Sequence, residues 1–114
     1  MKLLEKKCVA CKGGQLPYTP EKSENMLSKI NPGWELIDGA TKLTRVLKFK
    51  NFSTPMTLAV RIGEIADSEN HHPDLYISWG KLGVTITTHT IKGLAESDFI
   101  FAAKVDDAVE KFTI

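Results

Sequence analysis

The stretch that decides the fold is Leu75-Tyr76-Ile77-Ser78-Trp79-Gly80-Lys81-Leu82-Gly83-Val84-Thr85-Ile86. Leu75, Ile77 and Trp79 alternate with polar or amphipathic neighbours, and Leu82, Val84 and Ile86 alternate again after Gly80-Lys81. A period of two puts each apolar set on one face of a strand. Glycine at the first position of a two-residue loop suits a type II′ turn, so the stretch predicts a tight antiparallel hairpin. Such a loop pairs Trp79 with Leu82, Ile77 with Val84 and Leu75 with Ile86. Extended, the same register sets His72 opposite His89, on the face of Tyr76, Ser78, Thr85 and Thr87.

Working outward, a helix is predicted from about Ser53 to Ser68, with Pro55 in its first turn. At one residue per 100°, Thr57, Arg61, Glu64 and Ser68 form a narrow polar stripe. Met56, Leu58, Ala59, Val60, Ile62, Ile65 and Ala66 cover roughly 220° of the circumference. One sheet face cannot bury so wide an arc, which implies a second surface such as another subunit. Upstream, Trp34–Ile37, a turn at Asp38-Gly39-Ala40 and Lys42–Lys50 read as another hairpin. Leu43, Leu47 and Phe49 lie on one face of it, and Lys42, Thr44, Lys48 and Lys50 on the other. A first short helix starts with Thr19 as N-cap and Pro20 at the first helical position. It turns Leu27 and Ile30 inward and stops at Asn31-Pro32-Gly33. A third helix is capped by Ser97, with Asp98 in its first turn; Phe101, Val105, Ala108, Val109 and Phe112 mark its apolar side.

The order is α-β-β-α-β-β-α. The expected class is α+β, a four-stranded antiparallel sheet with three helices on one face. Residues 1–18 read as an irregular lead, since Gly13-Gly14 and Pro17 oppose regular structure, and residues 19–114 as one domain. A chain of 114 residues, 42% hydrophobic, fits one packed core without disulfides. Fifteen basic residues against fourteen acidic ones leave a formal charge of +1, no footprint for direct nucleic-acid binding. Glu5 interrupts the start of the chain, which lacks a signal-peptide core, and nothing approaches the ~20 apolar residues of a membrane span. Two cysteines, Cys8 and Cys11, make no disulfide framework, and a reducing cytoplasm is the expected compartment.

The chemistry gathers around the second hairpin, which all three histidines of the chain flank. Imidazoles titrate near neutrality, so a cluster can hold one protonated and one neutral member, as paired general acid and base work requires. His71 is adjacent to His72, and Asn70 and Asp74 are within local reach. Three histidines can also hold a catalytic zinc, but consecutive side chains in an extended segment diverge, which opposes His71 and His72 meeting on one ion. Cys8 and Cys11 lack both the βαβ setting of a redox pair and two further zinc ligands nearby. Neither a phosphate-binding glycine loop nor a nucleophile elbow is present.

Asn70-His71-His72-Pro73-Asp74, the aromatic-containing hairpin, Thr87-Thr88-His89, and Gly93-Leu94 with Asp98 together resemble the pterin-4a-carbinolamine dehydratase family. The resemblance covers roughly residues 16–112. It implies a dimer or tetramer, and dehydration of 4a-hydroxytetrahydropterin to quinonoid dihydropterin in the recycling of tetrahydrobiopterin. Neither a metal nor an organic cofactor is implied. His71, His72 and His89 become the acid–base residues, with Asn70, Pro73, Thr87, Thr88 and Thr90 lining the pterin site. Asp98 is left two roles, orienting a histidine or capping its helix. Lys92 stands where many relatives have glycine, Asp67 where some have glutamate and Leu75 where some have tryptophan. The family also implies a rival role, a noncatalytic dimerisation or assembly cofactor for a protein partner, which would place no demand on three imidazoles.

Overall fold

The computed structural model describes residues 2–9 and 15–112. Its regular elements are α1 (Pro20–Leu27), β1 (Glu35–Ile37), β2 (Lys42–Lys48), α2 (Ser53–Glu69), β3 (Asp74–Ser78), β4 (Lys81–Ile86) and α3 (Glu96–Lys111), with short 3-10 turns at Leu3–Glu5 and His89–Ile91. All neighbouring strands are antiparallel, in the order β1-β2-β4-β3. The expected α+β sandwich is therefore the one observed. Leu43 and Leu47 from β2, and Leu82, Val84 and Ile86 from β4, turn their side chains into one core with Leu58, Ile62, Ala66, Phe99, Phe101 and Val105 from the helices. Truncating a buried phenylalanine such as Phe99 would cost about 3–5 kcal/mol.

Local chemistry accounts for most of the boundaries. The Thr19 hydroxyl accepts the Lys22 backbone N–H at 3.2 Å, which caps α1, and Pro20 follows at a position where no amide donor is needed. Within that helix Met26 and Ser23 are the buried side chains, while Leu27 and, just beyond the helix, Ile30 are partly buried against the core. The α2 helix ends where Asn70 enters the left-handed region, φ 52° and ψ 43°. The amides of both Asn70 and His71 return to the Ala66 carbonyl, the latter at 3.1 Å. Asparagine tolerates that backbone conformation better than most residues, so it serves as the stop.

Two predictions are corrected. The second hairpin pairs Ser78 with Lys81, Ile77 with Leu82 and Asp74 with Thr85, so its loop is Trp79-Gly80. Gly80 occupies the second loop position with φ +72°. A Cβ there would meet the Phe49 carbonyl oxygen at 2.8 Å. The Gly80 amide donates to Asn51 O and its carbonyl accepts from Phe49 N, so the end of β2 fixes the hairpin tip. Inward and outward faces survive the two-residue slip, but the pairing of His72 with His89 does not. The second correction concerns α3. Its N-cap is Ala95, and Ser97 lies inside the helix with its hydroxyl committed to Val9.

Arg45 shares the inner face of β2 with Leu43 and Leu47 and ion-pairs with Asp106 of α3. Asp106 also accepts from Trp34 Nε1 at 2.8 Å and from the Asn31 backbone amide at 2.9 Å. This network ties the first hairpin and the segment after α1 to α3. With three donors on one carboxylate, the half-buried charge is fully compensated. Gly13-Gly14 and Cys11 lie outside the described residues.

Candidate active site

The site forms where the chain leaves α2 and where it enters α3. The left-handed Asn70 reverses the chain and delivers His71 towards the start of α3. There His71 Nε2 lies 2.8 Å from Asp98 Oδ1, and its ring packs at 5.7 Å, tilted by 44°, against Phe101. The His71 side chain is 12% exposed and that of Asp98 is 0% exposed. Asp98 is fully partnered in its burial. Its Oδ2 accepts from the Ala95 amide at 2.9 Å and from the Thr88 hydroxyl at 2.7 Å. One oxygen thus bonds the imidazole and the other caps the helix.

The Thr88 side of this arrangement is a closed loop. Thr88 N donates to Gly93 O at 3.0 Å, and the loop between them carries the 3-10 turn His89–Ile91. Lys92 follows in the left-handed region at φ 55°, and its amide returns to His89 O at 3.1 Å. A glycine would adopt that backbone without penalty, which explains why the family resemblance expects glycine there. Gly93 itself admits no side chain, because a Cβ would come within 2.6 Å of Pro17 Cβ. Thr87 anchors the loop base by donating to Thr41 O at 2.7 Å.

Extending the observed register sets His71 opposite Thr88 rather than His72 opposite His89, and both of those residues reach Asp98. His71 and the Thr88-His89 segment are thus brought together. His89 is exposed and its ring makes no hydrogen bond among the described residues, so both ring nitrogens are open to solvent. His72 points elsewhere, with Nε2 3.0 Å from Asp67 Oδ1 at the exposed end of α2. No hydrogen bond joins one imidazole to another among the described residues. Thr90 and Asn70 are exposed and Pro73 is half-buried. Also among the described residues, no group of three or more histidine, cysteine or acidic side chains is placed to hold a metal ion.

Sequence reasoning missed two partners. Asp67 enters the sequence reading only as a departure, yet it lies in the last turn of α2, two residues before its end, within reach of a histidine just past that end. The bond from Thr88 to Asp98 had no local signal, because the two residues approach only through the closed loop.

The electrostatics behind the site are resolved at one pair. Glu69, the last residue of α2, is held below the usual carboxylate range chiefly by the Cys8 backbone N–H, 3.0 Å from its Oε1. The Cys8 thiol is pushed up to about 12, by burial first and then by the charge of Glu69. Such a shift keeps the thiol protonated near neutral pH, and Cys8 packs partly buried against the core.

A carboxylate-bonded imidazole thus lies beside the loop that carries a second, exposed one. Residues 16–108 match the family model described as Pterin 4 alpha carbinolamine dehydratase, and the chain belongs to that family of hydro-lyases. A protein of Rubrobacter xylanophilus, provisionally named pterin-4-alpha-carbinolamine dehydratase, is 47% identical over 91% of this chain and 95% of its own length. A second of the same provisional name, from Methylococcus capsulatus, is 48% identical over 92% of this chain and 91% of its own. Among solved structures, a transcriptional coactivator/pterin dehydratase from Brucella melitensis superposes with a TM-score of 0.74 at 29% identity, over 81% of this chain and 97% of that one. No helix among the described residues is long and apolar enough to cross a membrane.

Proposed function

We propose that this enzyme dehydrates a 4a-hydroxytetrahydropterin to the quinonoid dihydropterin by histidine acid–base catalysis, in the recycling of tetrahydrobiopterin in the cytoplasm. In that reaction the C4a–O bond breaks and the hydroxyl leaves as water after taking a proton from an acid. The N5 proton passes to a base, and its bonding pair becomes the new C4a=N5 double bond. Proton donor and acceptor are both returned to their starting state by the solvent, so no co-reactant is consumed. The single observation that carries this reading is the bond between His71 and the fully buried Asp98. A carboxylate only accepts, so His71 Nε2 donates to it and Nδ1 keeps the lone pair, the atom able to take a proton. His89, exposed and unbonded, supplies the complementary acid. His72 completes the histidine set from the rim, its ring turned to Asp67. Asn70, Pro73, Thr87, Thr88 and Thr90 frame the pterin. None of these roles calls for a metal or organic cofactor.

The test is to add the protein to freshly generated carbinolamine and follow the quinonoid product by its absorbance. Acceleration over the buffer rate is expected, and a well-folded sample without it would overturn the reading.

A second reading is favoured by one observation. Phe52, Met56 and Val60, at the start of α2 and along it, are exposed by 48%, 41% and 63%. Spaced by four, they form one apolar stripe, in which Met56 and Val60 belong to the predicted broad arc and are left uncovered by the core. The stripe supports a homodimer or homotetramer, and it would equally suit a noncatalytic role as a dimerisation or assembly cofactor. The coactivator in the name of the Brucella melitensis neighbour is in keeping with such a role. Light scattering separates the cases: a mass of two or four chains is expected, with Val60→Glu shifting it towards one. A strict monomer at micromolar concentration would leave the stripe to a different partner.

A further inference from the structure

Residues 4–9 lie across the ends of the two helices that carry the His71–Asp98 pair, and they are bound there by more contacts than an irregular lead requires. The Ser97 hydroxyl accepts the Val9 amide at 2.9 Å and donates to the Val9 carbonyl at 2.8 Å. The Cys8 amide donates to Glu69 Oε1 at 3.0 Å, and its thiol faces the Ser97 carbonyl at 3.4 Å. Lys6 pairs with Glu96 at 2.8 Å, and Lys104 Nζ donates to Leu4 O at 3.0 Å. Ser97 is the residue before Asp98, and Glu69 lies two before His71. The strap thus grips the chain directly beside each member of the pair. It also lies outside residues 16–108, the part matched by the family model.

Ser97 is the second residue of α3, two past Ala95, the position from which a serine would cap the helix. Its hydroxyl is used twice on one residue of the lead, while the Ala95 amide is satisfied by Asp98. Among the described residues, that hydroxyl makes no hydrogen bond within α3. Glu69 is held likewise, its carboxylate fixed between the Cys8 amide and Lys104 at 3.6 Å. With both helix ends stapled to the same five or six residues of backbone, the separation of α2 from α3 at this end is fixed, and with it the distance from His71 to Asp98.

We propose that residues 4–9 are a positioning strap for the His71–Asp98 pair, with Ser97 as its main anchor and Glu69 as the second. The proposal rests on the acid–base reading of that pair. Ser97 acts through its neighbour and touches neither substrate nor reacting atoms. Removing its hydroxyl breaks the two Val9 bonds and leaves Lys6–Glu96 and Lys104–Leu4 as the main ties of the lead to α3, so the first turn of α3 can shift and loosen a hydrogen bond whose geometry the reaction depends on.

The experiment uses the full chain and its Ser97→Ala and Glu69→Gln variants. Two readouts are taken: kcat and KM for carbinolamine dehydration, and the NMR resonance of the His71 ring Nε2–H, which the bond to Asp98 protects from exchange. In Ser97→Ala, kcat is expected to fall ~10-fold with KM nearly unchanged, a loss in line with a small misplacement of a catalytic group. The ring resonance is expected to broaden, and Glu69→Gln should show the same pattern to a smaller degree. Variants that melt earlier but keep the ring resonance and kcat of the parent would overturn the proposal, since the strap would then be structural alone. If the parent shows no dehydration, the acid–base reading fails by itself, and the ring resonance still decides whether the strap sets the pair.

Discussion

Thr88 and His71 lie on opposite sides of one carboxylate: the Thr88 hydroxyl reaches Asp98 Oδ2 at 2.7 Å and His71 Nε2 reaches Oδ1 at 2.8 Å. The two come from the ends of neighbouring strands, and Asp98 from the helix that follows. The position of His89, next in sequence to Thr88, is therefore set by the same group that sets the His71 ring.

Asp98→Asn tests that joint role. The amide replaces one acceptor with a donor, so it either leaves the Ala95 amide unpaired or makes His71 accept at Nε2, which moves the ring proton to Nδ1. Dehydration is expected to fall by ~10²-fold or more. Urea unfolding should show a loss of about 1–3 kcal/mol, the cost of buried donors left unpaired. Unchanged turnover would remove the pair from the mechanism.

The histidines are not expected to be equivalent. His89→Ala should lower kcat by ~10²-fold, as removal of a general acid does, with little change in stability because its ring makes no hydrogen bond. His72→Ala should cost less, because that ring is exposed and its hydrogen-bonding partner is Asp67 rather than the buried pair. Steady-state kinetics on the two variants, with circular dichroism to confirm folding, decide the order.

Stability should fall at both ends of the pH scale for two groups that touch each other. Folding depresses the titration of Glu69, so its contribution is present above the ordinary carboxylate range and is lost as pH falls through its folded value. Folding raises Cys8 to about 12, so its contribution is complete below the ordinary thiol range and is lost as pH rises towards that value. Urea midpoints measured from pH 3 to pH 10 should show a plateau between ~5 and ~8. Glu69→Gln is expected to soften the acid fall and Cys8→Ala the alkaline one.

Lys92 offers a stabilising change. Its φ of 55° is a conformation that costs a non-glycine residue ~1 kcal/mol, and its side chain is exposed. Lys92→Gly should raise the unfolding free energy by roughly that amount, less what glycine loses in chain entropy. A drop in the melting temperature would show that the lysine makes a compensating contact.

Much of this architecture was legible because it is local. Thr19 and Pro20 announce a helix start, and the alternation of Leu82, Val84 and Ile86 announces a buried strand. The register of the second hairpin was not, because the end of β2 fixes its tip. Gly80 is required where it stands by the Phe49 carbonyl, a residue more than 30 positions earlier, and not by the turn alone. The register expected from the turn sets His72 opposite His89, and the observed one sets His71 opposite Thr88. Asp98 was recognised as ambiguous and is in fact shared. Arg45 could have been read: it alternates with Leu43 and Leu47, and a charge on an inward face demands a partner such as Asp106. The strap could not, since backbone amides that bind side chains 60 to 90 residues away leave no trace in composition or period.

Because Asp98 begins a helix as well as steering a ring, its presence says little about whether a relative still turns over substrate. A lineage that kept this sandwich only as a scaffold would need the carboxylate to fold, yet could discard His89 at almost no structural expense. Decay of function should therefore be sought first at the imidazoles, with the aspartate outlasting them.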